Sequence, residues 1–214
     1  YPLNKVILWD DHQGRCIGEL TYFGSNILAV KLRRDRIIVV TSDRVYVYNF
    51  SDLKLIDIVN TSPNPRALIA VCASADNNII SCLGKFPGMV QIINYNQTQK
   101  SSLCITAHET NIACLALSID GSLLATASEK GTLIRVFSTK TGKQLHEFRR
   151  GAETAEIYSI AFHSSNNWLV VSSDKGTVHV FKLDSTLQQH QHEDDAAQNA
   201  EGRKSNNPKS SLSF

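Results

Sequence analysis

One stretch of the chain repeats after 45 positions, and this spacing constrains the fold more than any other feature. Each copy has an apolar run, a second apolar run that ends in Ser, and the tripeptide Lys-Gly-Thr. The paired segments are 112–117 with 157–162, 124–128 with 169–173, and 130–132 with 175–177. A repeat of this length is one structural unit that cannot bury its apolar face alone, so neighbouring units must pack together.

The apolar runs within each unit predict strands. Runs such as 37–40, 45–48 and 133–137 are short, rich in Val, Ile, Leu and Tyr, and bounded by turn residues. They recur roughly every 8–12 residues, which is typical of all-β proteins, and helical periodicity is hard to find. Four strands in about 40–45 residues form one blade of a β-propeller. The sequence therefore predicts an all-β chain with the architecture of a WD-repeat β-propeller.

The number of units predicts only part of a ring. A strand pair lies at 5–20, whole blades at 27–59, 67–106 and 112–149, and three further strands at 157–183. A propeller closes on itself so that neither strand edges nor core are exposed. We therefore expect 1–183 to be about four and a half blades of a larger propeller. The polar segment 184–214 is expected to be a disordered loop start or tail.

Several classes of function find no support in the sequence. The net charge of +2 is too small to favour nucleic acid, and the five cysteines lack the spacing of metal ligands. Motifs of hydrolases, metalloproteases and phosphate-binding loops do not occur, so we expect neither an enzyme nor a cofactor. Apolar runs fall short of the roughly 20 residues of a membrane-spanning helix. The first residues do not have the pattern of a signal peptide, so a cytoplasmic protein is expected.

Two adjacent arginines are the strongest candidate for a binding function. Arg149 and Arg150 end a predicted outer strand and precede Gly151. Successive side chains on a strand point to opposite faces, so each arginine can serve one pocket on its own side. Guanidinium groups suit phosphate because they donate two parallel hydrogen bonds. A solvated charged strand edge is the alternative explanation of the pair.

Both neighbouring blades offer small polar donors to this pair. Those on one side are His108, Ser128, Lys130, Thr132 and Arg135, and those on the other are Ser173, Lys175, Thr177 and His179. Hydroxyls, imidazoles and cations together suit a phosphorylated sugar-like ring. Ser-x-Lys-Gly-Thr is also an ordinary hairpin turn of such blades, in which Gly fits the turn and the hydroxyls bind the backbone.

Taken together, these residues resemble the PROPPINs, which are called WIPI proteins in animals. The resemblance covers about 1–183. It rests on the segment 125–137 followed by the motif Phe148, Arg149, Arg150 and Gly151, with support from 5–11, 31–36, Asn64-Pro65 and 173–181. The segments 31–36 and 131–135 point to the branch of the third and fourth WIPI paralogues.

The resemblance implies a seven-bladed propeller that binds phosphatidylinositol 3-phosphate and phosphatidylinositol 3,5-bisphosphate during autophagosome formation. It implies a peripheral position on preautophagosomal or endosomal membranes and a partner in the autophagy lipid-transfer protein. It further implies a loop of the sixth blade, beginning here after Leu183, that inserts into the bilayer. Two lipid sites follow residue by residue: His108, Ser128, Gly131, Thr132, Arg135 and Arg149 for site 1, and Arg150, Ser173, Thr177 and His179 for site 2. The alternative is a WD-repeat scaffold that binds proteins and no lipid.

Overall fold

Alternating apolar residues and glycine-containing turns fold this chain into consecutive antiparallel strands. The computed structural model describes residues 2–21, 23–96 and 100–184, which contain 17 strands and no helix. No helix in this part of the chain is therefore long and apolar enough to cross a membrane. The predicted tail at 184–214 lies outside the described residues, apart from Asp184.

The strands form five separate sheets, each assembled in chain order. The first is the pair β1 (Val6–Asp10) and β2 (Arg15–Leu20). The second contains β3 (Ala29–Leu32), β4 (Arg36–Val40), β5 (Arg44–Asn49) and β6 (Leu55–Asn60). The third contains β7 (Ile69–Val71), β8 (Ile79–Leu83), β9 (Met89–Asn94) and β10 (Ser101–Thr106).

Two further sheets correspond to the 45-residue repeat. One contains β11 (Ile112–Leu117), β12 (Leu123–Ser128), β13 (Leu133–Ser138) and β14 (Gln144–Arg149). The other contains β15 (Ile157–Phe162), β16 (Trp168–Ser173) and β17 (Val178–Lys182). The predicted all-β class is confirmed, and the five sheets of two, four, four, four and three strands are consistent with the predicted count of about four and a half blades.

The second copy of the repeat is one residue shorter than the first at its final hairpin. Thr126 on β12 lies opposite Arg135 on β13, whereas Val171 on β16 lies opposite His179 on β17. Val171 follows Thr126 by 45 positions, but His179 follows Arg135 by only 44. The β16–β17 hairpin is therefore one residue shorter, and His179 takes the structural position of Arg135.

The core lies between successive sheets because each central strand buries both of its faces. Leu124 packs with residues of β7–β10, while its neighbours Ala125 and Ala127 pack with β15–β17. All six residues of β12 are buried. A strand that is apolar on both faces is expected where a sheet has a packed neighbour on either side.

Side-chain hydrogen bonds join the turns of neighbouring sheets at one end of the strands. Arg33, after β3, donates to the carbonyls of Cys72 and Asn77 in the next sheet, both at 2.7 Å. Asn77 donates to the carbonyl of Asp120 at 2.7 Å, and Asn166 donates to Ser122 Oγ at 3.4 Å. These contacts link four successive sheets through their first turns.

Candidate functional site

The arginine pair lies where β14 ends. Arg149 is the last residue of β14 and lies opposite Leu133 on β13. The backbone N–H of Arg150 donates to the carbonyl of Thr132 at 2.9 Å, so the pairing continues one step past the strand. The end of β14 is therefore attached to the β12–β13 turn, which carries Gly131 and Thr132.

Strand alternation places the residues around the pair on opposite faces of this sheet. Phe148 packs into the core shared with β15–β17, and its ring stacks on Phe181 with centroids 4.8 Å apart. Glu147 and Arg149 therefore point the other way, toward β7–β10. Arg135, which lies opposite Glu147, confirms this direction because its guanidinium reaches the carbonyl of Ala107, just after β10.

On this first face, most predicted site residues are already engaged with the protein. Arg135 Nε lies 2.8 Å from Glu147 Oε2, and Arg135 Nη1 donates to the Ala107 carbonyl at 2.6 Å. His108 is buried, with Nε2 2.9 Å from Thr126 Oγ1. Ser128 is also buried. The exposed side chain of Arg149 has no hydrogen bond or ion pair within the described part of the chain.

The surroundings of His108 keep its imidazole neutral. Burial lowers the pKa of His108 from 6.5 to about 4, and the nearby positive charge of Arg135 acts in the same direction. Its bond to Thr126 and the carboxylate of Glu147 oppose the shift but do not cancel it. At pH 7 His108 therefore offers a neutral ring and adds no positive charge to this face.

Acidification should destabilise the fold through His108. The unfolded chain takes up this proton near pH 6.5, whereas the folded chain resists it until about pH 4. Stability is therefore full above pH 6.5 and is lost as the pH falls toward 4, by roughly 2 kcal/mol at pH 4.5. Urea unfolding at pH 7 and pH 4.5 measures the loss, with His108→Gln as the comparison. A variant that loses as much stability as the wild type on acidification would assign the effect to carboxylates instead.

Gly131 lets the β12–β13 turn approach the connection that follows Arg150. Its φ is +62°, and a Cβ built on it would lie 1.9 Å from the carbonyl oxygen of Ala155. The N–H of Ala155 donates to the carbonyl of Lys130 at 3.1 Å, which holds the two segments together. Only glycine fits this position without displacing backbone.

Arg150 differs from Arg149 in both burial and bonding. Its exposed fraction is 9%, Nε donates to the carbonyl of Gly131 at 2.7 Å, and Nη2 donates to the carbonyl of Glu153 at 2.5 Å. The sequence pattern treats the two arginines as equivalent, but in the structure Arg150 is buried and bonded whereas Arg149 is exposed. Through these two bonds, Arg150 links the 151–155 connection to the β12–β13 turn. The remaining nitrogen of its guanidinium, Nη1, forms no hydrogen bond with any described residue.

Of the remaining site 2 residues, Ser173 ends β16, Thr177 lies in the turn before β17, and His179 lies on β17, on the face that meets Phe148. Thr177 Oγ1 lies 3.1 Å from His179 Nε2, and the His179 ring stacks near Phe181 with centroids 6.2 Å apart. Ser173 is buried, and its hydroxyl has no hydrogen-bond partner among the described residues. An unpaired buried hydroxyl is unusual and leaves one polar group available to a ligand.

Three residues of this region were not predicted from the sequence. Thr126 binds His108, Glu147 binds Arg135, and Glu153 accepts from Arg150. Glu147 had a detectable signal, since it stands two positions before Arg149 and so shares its face. The carbonyl of Glu153 had none, because any residue carries a backbone acceptor.

A family model described as PROPPIN matches residues 5–203. The chain belongs to the PROPPIN family. This confirms the resemblance drawn from the motif at Phe148–Gly151 and from the segments around it.

Curated PROPPIN relatives carry autophagy names. Autophagy-related protein 18e of Arabidopsis thaliana is 46% identical over 185 residues, which cover 86% of this chain and 48% of that protein. Autophagy-related protein 18 of Yarrowia lipolytica is 40% identical over 191 residues, covering 79% of this chain and 47% of that protein. The chain therefore spans about half the length of these relatives.

Solved PROPPIN structures share the fold. Hsv2 of Kluyveromyces marxianus superposes with a TM-score of 0.73 at 26% identity, covering 86% of this chain and 58% of that one. KlAtg21, solved in complex with the coiled coil of AgAtg16, superposes with a TM-score of 0.70 at 29% identity, covering 86% and 60%. The likeness to these structures confirms the β-propeller class.

Proposed function

We propose that this PROPPIN chain contributes to a non-enzymatic protein that binds phosphoinositide head groups on autophagic membranes. The single observation that carries the proposal is the end of β14, where an exposed, unpaired Arg149 and the guanidinium of Arg150 lie on opposite faces. The head groups are phosphatidylinositol 3-phosphate and phosphatidylinositol 3,5-bisphosphate. The protein is cytoplasmic and peripheral on preautophagosomal or endosomal membranes.

The available donors favour a phosphate ligand on each face. On one face, Arg149 can turn its free guanidinium toward a phosphate, with Thr132 half-buried in the adjoining turn. On the other face, Nη1 of Arg150, the unpaired Ser173 hydroxyl and the Thr177–His179 pair supply further donors. Charge-assisted hydrogen bonds to phosphate are about twice as strong as neutral ones.

Two weak sites on one rim suffice for membrane recruitment. Binding at one site raises the effective concentration for the other, and such avidity can gain about 10²–10⁴ in affinity. Each basic residue near an anionic leaflet adds about 1 kcal/mol. A bilayer-inserting loop after Leu183 would add an apolar contribution, and it lies outside the described residues.

Replacing Arg149 should weaken membrane binding without altering the fold. We expect Arg149→Ala in the complete protein to reduce sedimentation with phosphatidylinositol 3-phosphate liposomes at least tenfold, because the free guanidinium is removed and no internal bond is lost. Arg44→Ala is the control, since Arg44 is an exposed arginine at the start of β5 in another sheet and forms only an exposed ion pair with Asp43 at 3.6 Å. Equal binding by the two variants would overturn the proposal.

A protein-binding scaffold is the second candidate function. It is favoured by the fold shared with KlAtg21, which was solved with a coiled coil of AgAtg16. The autophagy lipid-transfer protein is the partner that we propose by family resemblance. In the basic segment 31–36, Arg33 is occupied by the carbonyls of Cys72 and Asn77, which leaves the exposed Lys31 and Arg34 as basic residues open to a partner. Lipid-independent function of Arg149→Ala in cells would favour this candidate.

A further inference from the structure

Glu147 stands between the two arginines of the first face. Its carboxylate lies 2.8 Å from Arg135 Nε, and the two residues are cross-strand partners. Arg149 is two positions further along β14 and lies on the same face, with its Cα about 7 Å from that of Glu147. A ligand held by Arg149 therefore has a carboxylate, as well as a guanidinium, as its neighbour.

The carboxylate of Glu147 limits the hydrogen-bond donors that Arg135 can present to a ligand. One edge of the guanidinium is held by Glu147 and one by the Ala107 carbonyl, so Arg135 does not present a free pair of parallel donors. His108 is neutral at pH 7, as its lowered pKa indicates. Lys130 in the adjoining turn lies 4.0 Å from the carboxylate of Glu109, so these two charges cancel. Arg135, Arg149 and Glu147 are the other charged side chains assigned to this face, and together they leave a single net positive charge.

We propose that Glu147 is a specificity-determining residue that limits this face to a head group with one phosphate besides the diester. A second phosphate would meet a carboxylate instead of a free guanidinium, and placing like charges together opposes binding. This inference rests on the proposed function. It adds the residue that determines how many phosphate groups the face with Arg149 accepts.

Neutralising this carboxylate should change lipid selectivity. We expect Glu147→Gln in the complete protein to bind phosphatidylinositol 3,5-bisphosphate vesicles about fivefold better, because the charge that opposes a second phosphate is removed and the positive charge of Arg135 is no longer neutralised. Binding to phosphatidylinositol 3-phosphate vesicles of equal total charge should rise less than twofold. The measurement is sedimentation with phosphatidylcholine vesicles containing one lipid or the other.

Glu19→Gln is the matched control for this experiment. Glu19 is paired with Lys5 at 2.8 Å, and its side chain is 46% exposed against 41% for Glu147. It removes the same charge from a different sheet, so its binding to both vesicles should stay close to that of the wild type. Adding Arg135→Gln to Glu147→Gln should abolish the gain, because the gain requires the positive charge of Arg135.

Each other outcome has a definite meaning. Equal gains of Glu147→Gln on both vesicles would show a general charge effect and overturn the inference. Weaker binding to both would make Glu147 a structural support for Arg135 and would also overturn it. If the wild type binds neither vesicle, the proposed function itself fails. If the wild type binds both vesicles and Glu147→Gln has the same preference, only the inference about Glu147 is overturned.

Discussion

Replacing Arg150 with Ala should lower the free energy of unfolding by roughly 3 kcal/mol, whereas Arg149→Ala should change it by less than about 0.5 kcal/mol. Arg150 is buried and donates to two backbone carbonyls, those of Gly131 and Glu153. Hydrogen bonds from charged groups contribute about 1.5–3 kcal/mol each, and the truncation leaves two acceptors unpaired. Arg149 is exposed and forms no such bond. Urea unfolding of the two single variants measures the difference.

The same pair of variants separates folding from lipid binding. Arg149→Ala should lose liposome binding while its unfolding curve stays in place. Arg150→Ala should show both effects, so loss of binding by a variant that lacks Arg150 cannot be assigned to the lipid site without a stability measurement. Arg150→Lys is a useful companion, because it keeps the charge but cannot supply two fixed donors. Equal stability of the two Ala variants would show that the carbonyl bonds of Arg150 contribute nothing net.

Gly131→Ala should destabilise the protein by several kcal/mol, which is more than the conformation of the residue alone explains. A Cβ at this position would lie 1.9 Å from the Ala155 carbonyl oxygen, so the turn must separate from the 151–155 connection. Opening this contact breaks the bond between Ala155 and Lys130 and displaces the acceptor of Arg150. Thermal unfolding of the complete protein measures the loss.

Gly176→Ala is the matched control for that change. Gly176 occupies the corresponding place in the β16–β17 hairpin with a φ of +69°, but nothing lies within 4 Å of its Cβ position. Its substitution should cost only the left-handed conformation, about 1–2 kcal/mol. Similar losses for the two variants would mean that the close approach to Ala155 relaxes freely.

The sheets and the two faces of the site could be predicted from the sequence because their cause is local. Strand alternation places Arg149 and Arg150 on opposite sides, and the Lys-Gly-Thr repeat marks where hairpins turn. The bonds of Arg150 could not be predicted, because they end on carbonyls whose positions depend on packing between sheets. The face of Glu147 could be predicted from its spacing to Arg149, but its pairing with Arg135 could not, because an irregularity between Val136 and Phe137 shifts the register of β13 against β14.

Burial produced the other differences between pattern and structure. His108 was expected as a donor beside the arginine, yet its Nε2 is bound to Thr126 inside the protein. In the basic segment 31–36, the Arg33 side chain is only 5% exposed and joins two sheets, a role that its sequence neighbours do not indicate. The identity of a residue indicates which bonds it can form, and only the packing determines which of them form.

The shortened β16–β17 hairpin determines how the two faces could be made chemically alike. An ungapped comparison of the two repeats would pair Arg135 with Val180, whose side chain is exposed on the opposite face of β17. The spatial counterpart is His179. A designer who wished to copy the permanent charge of one face onto the other would therefore replace His179 with arginine, because an arginine at position 180 would point to the face away from Phe148 and Phe181.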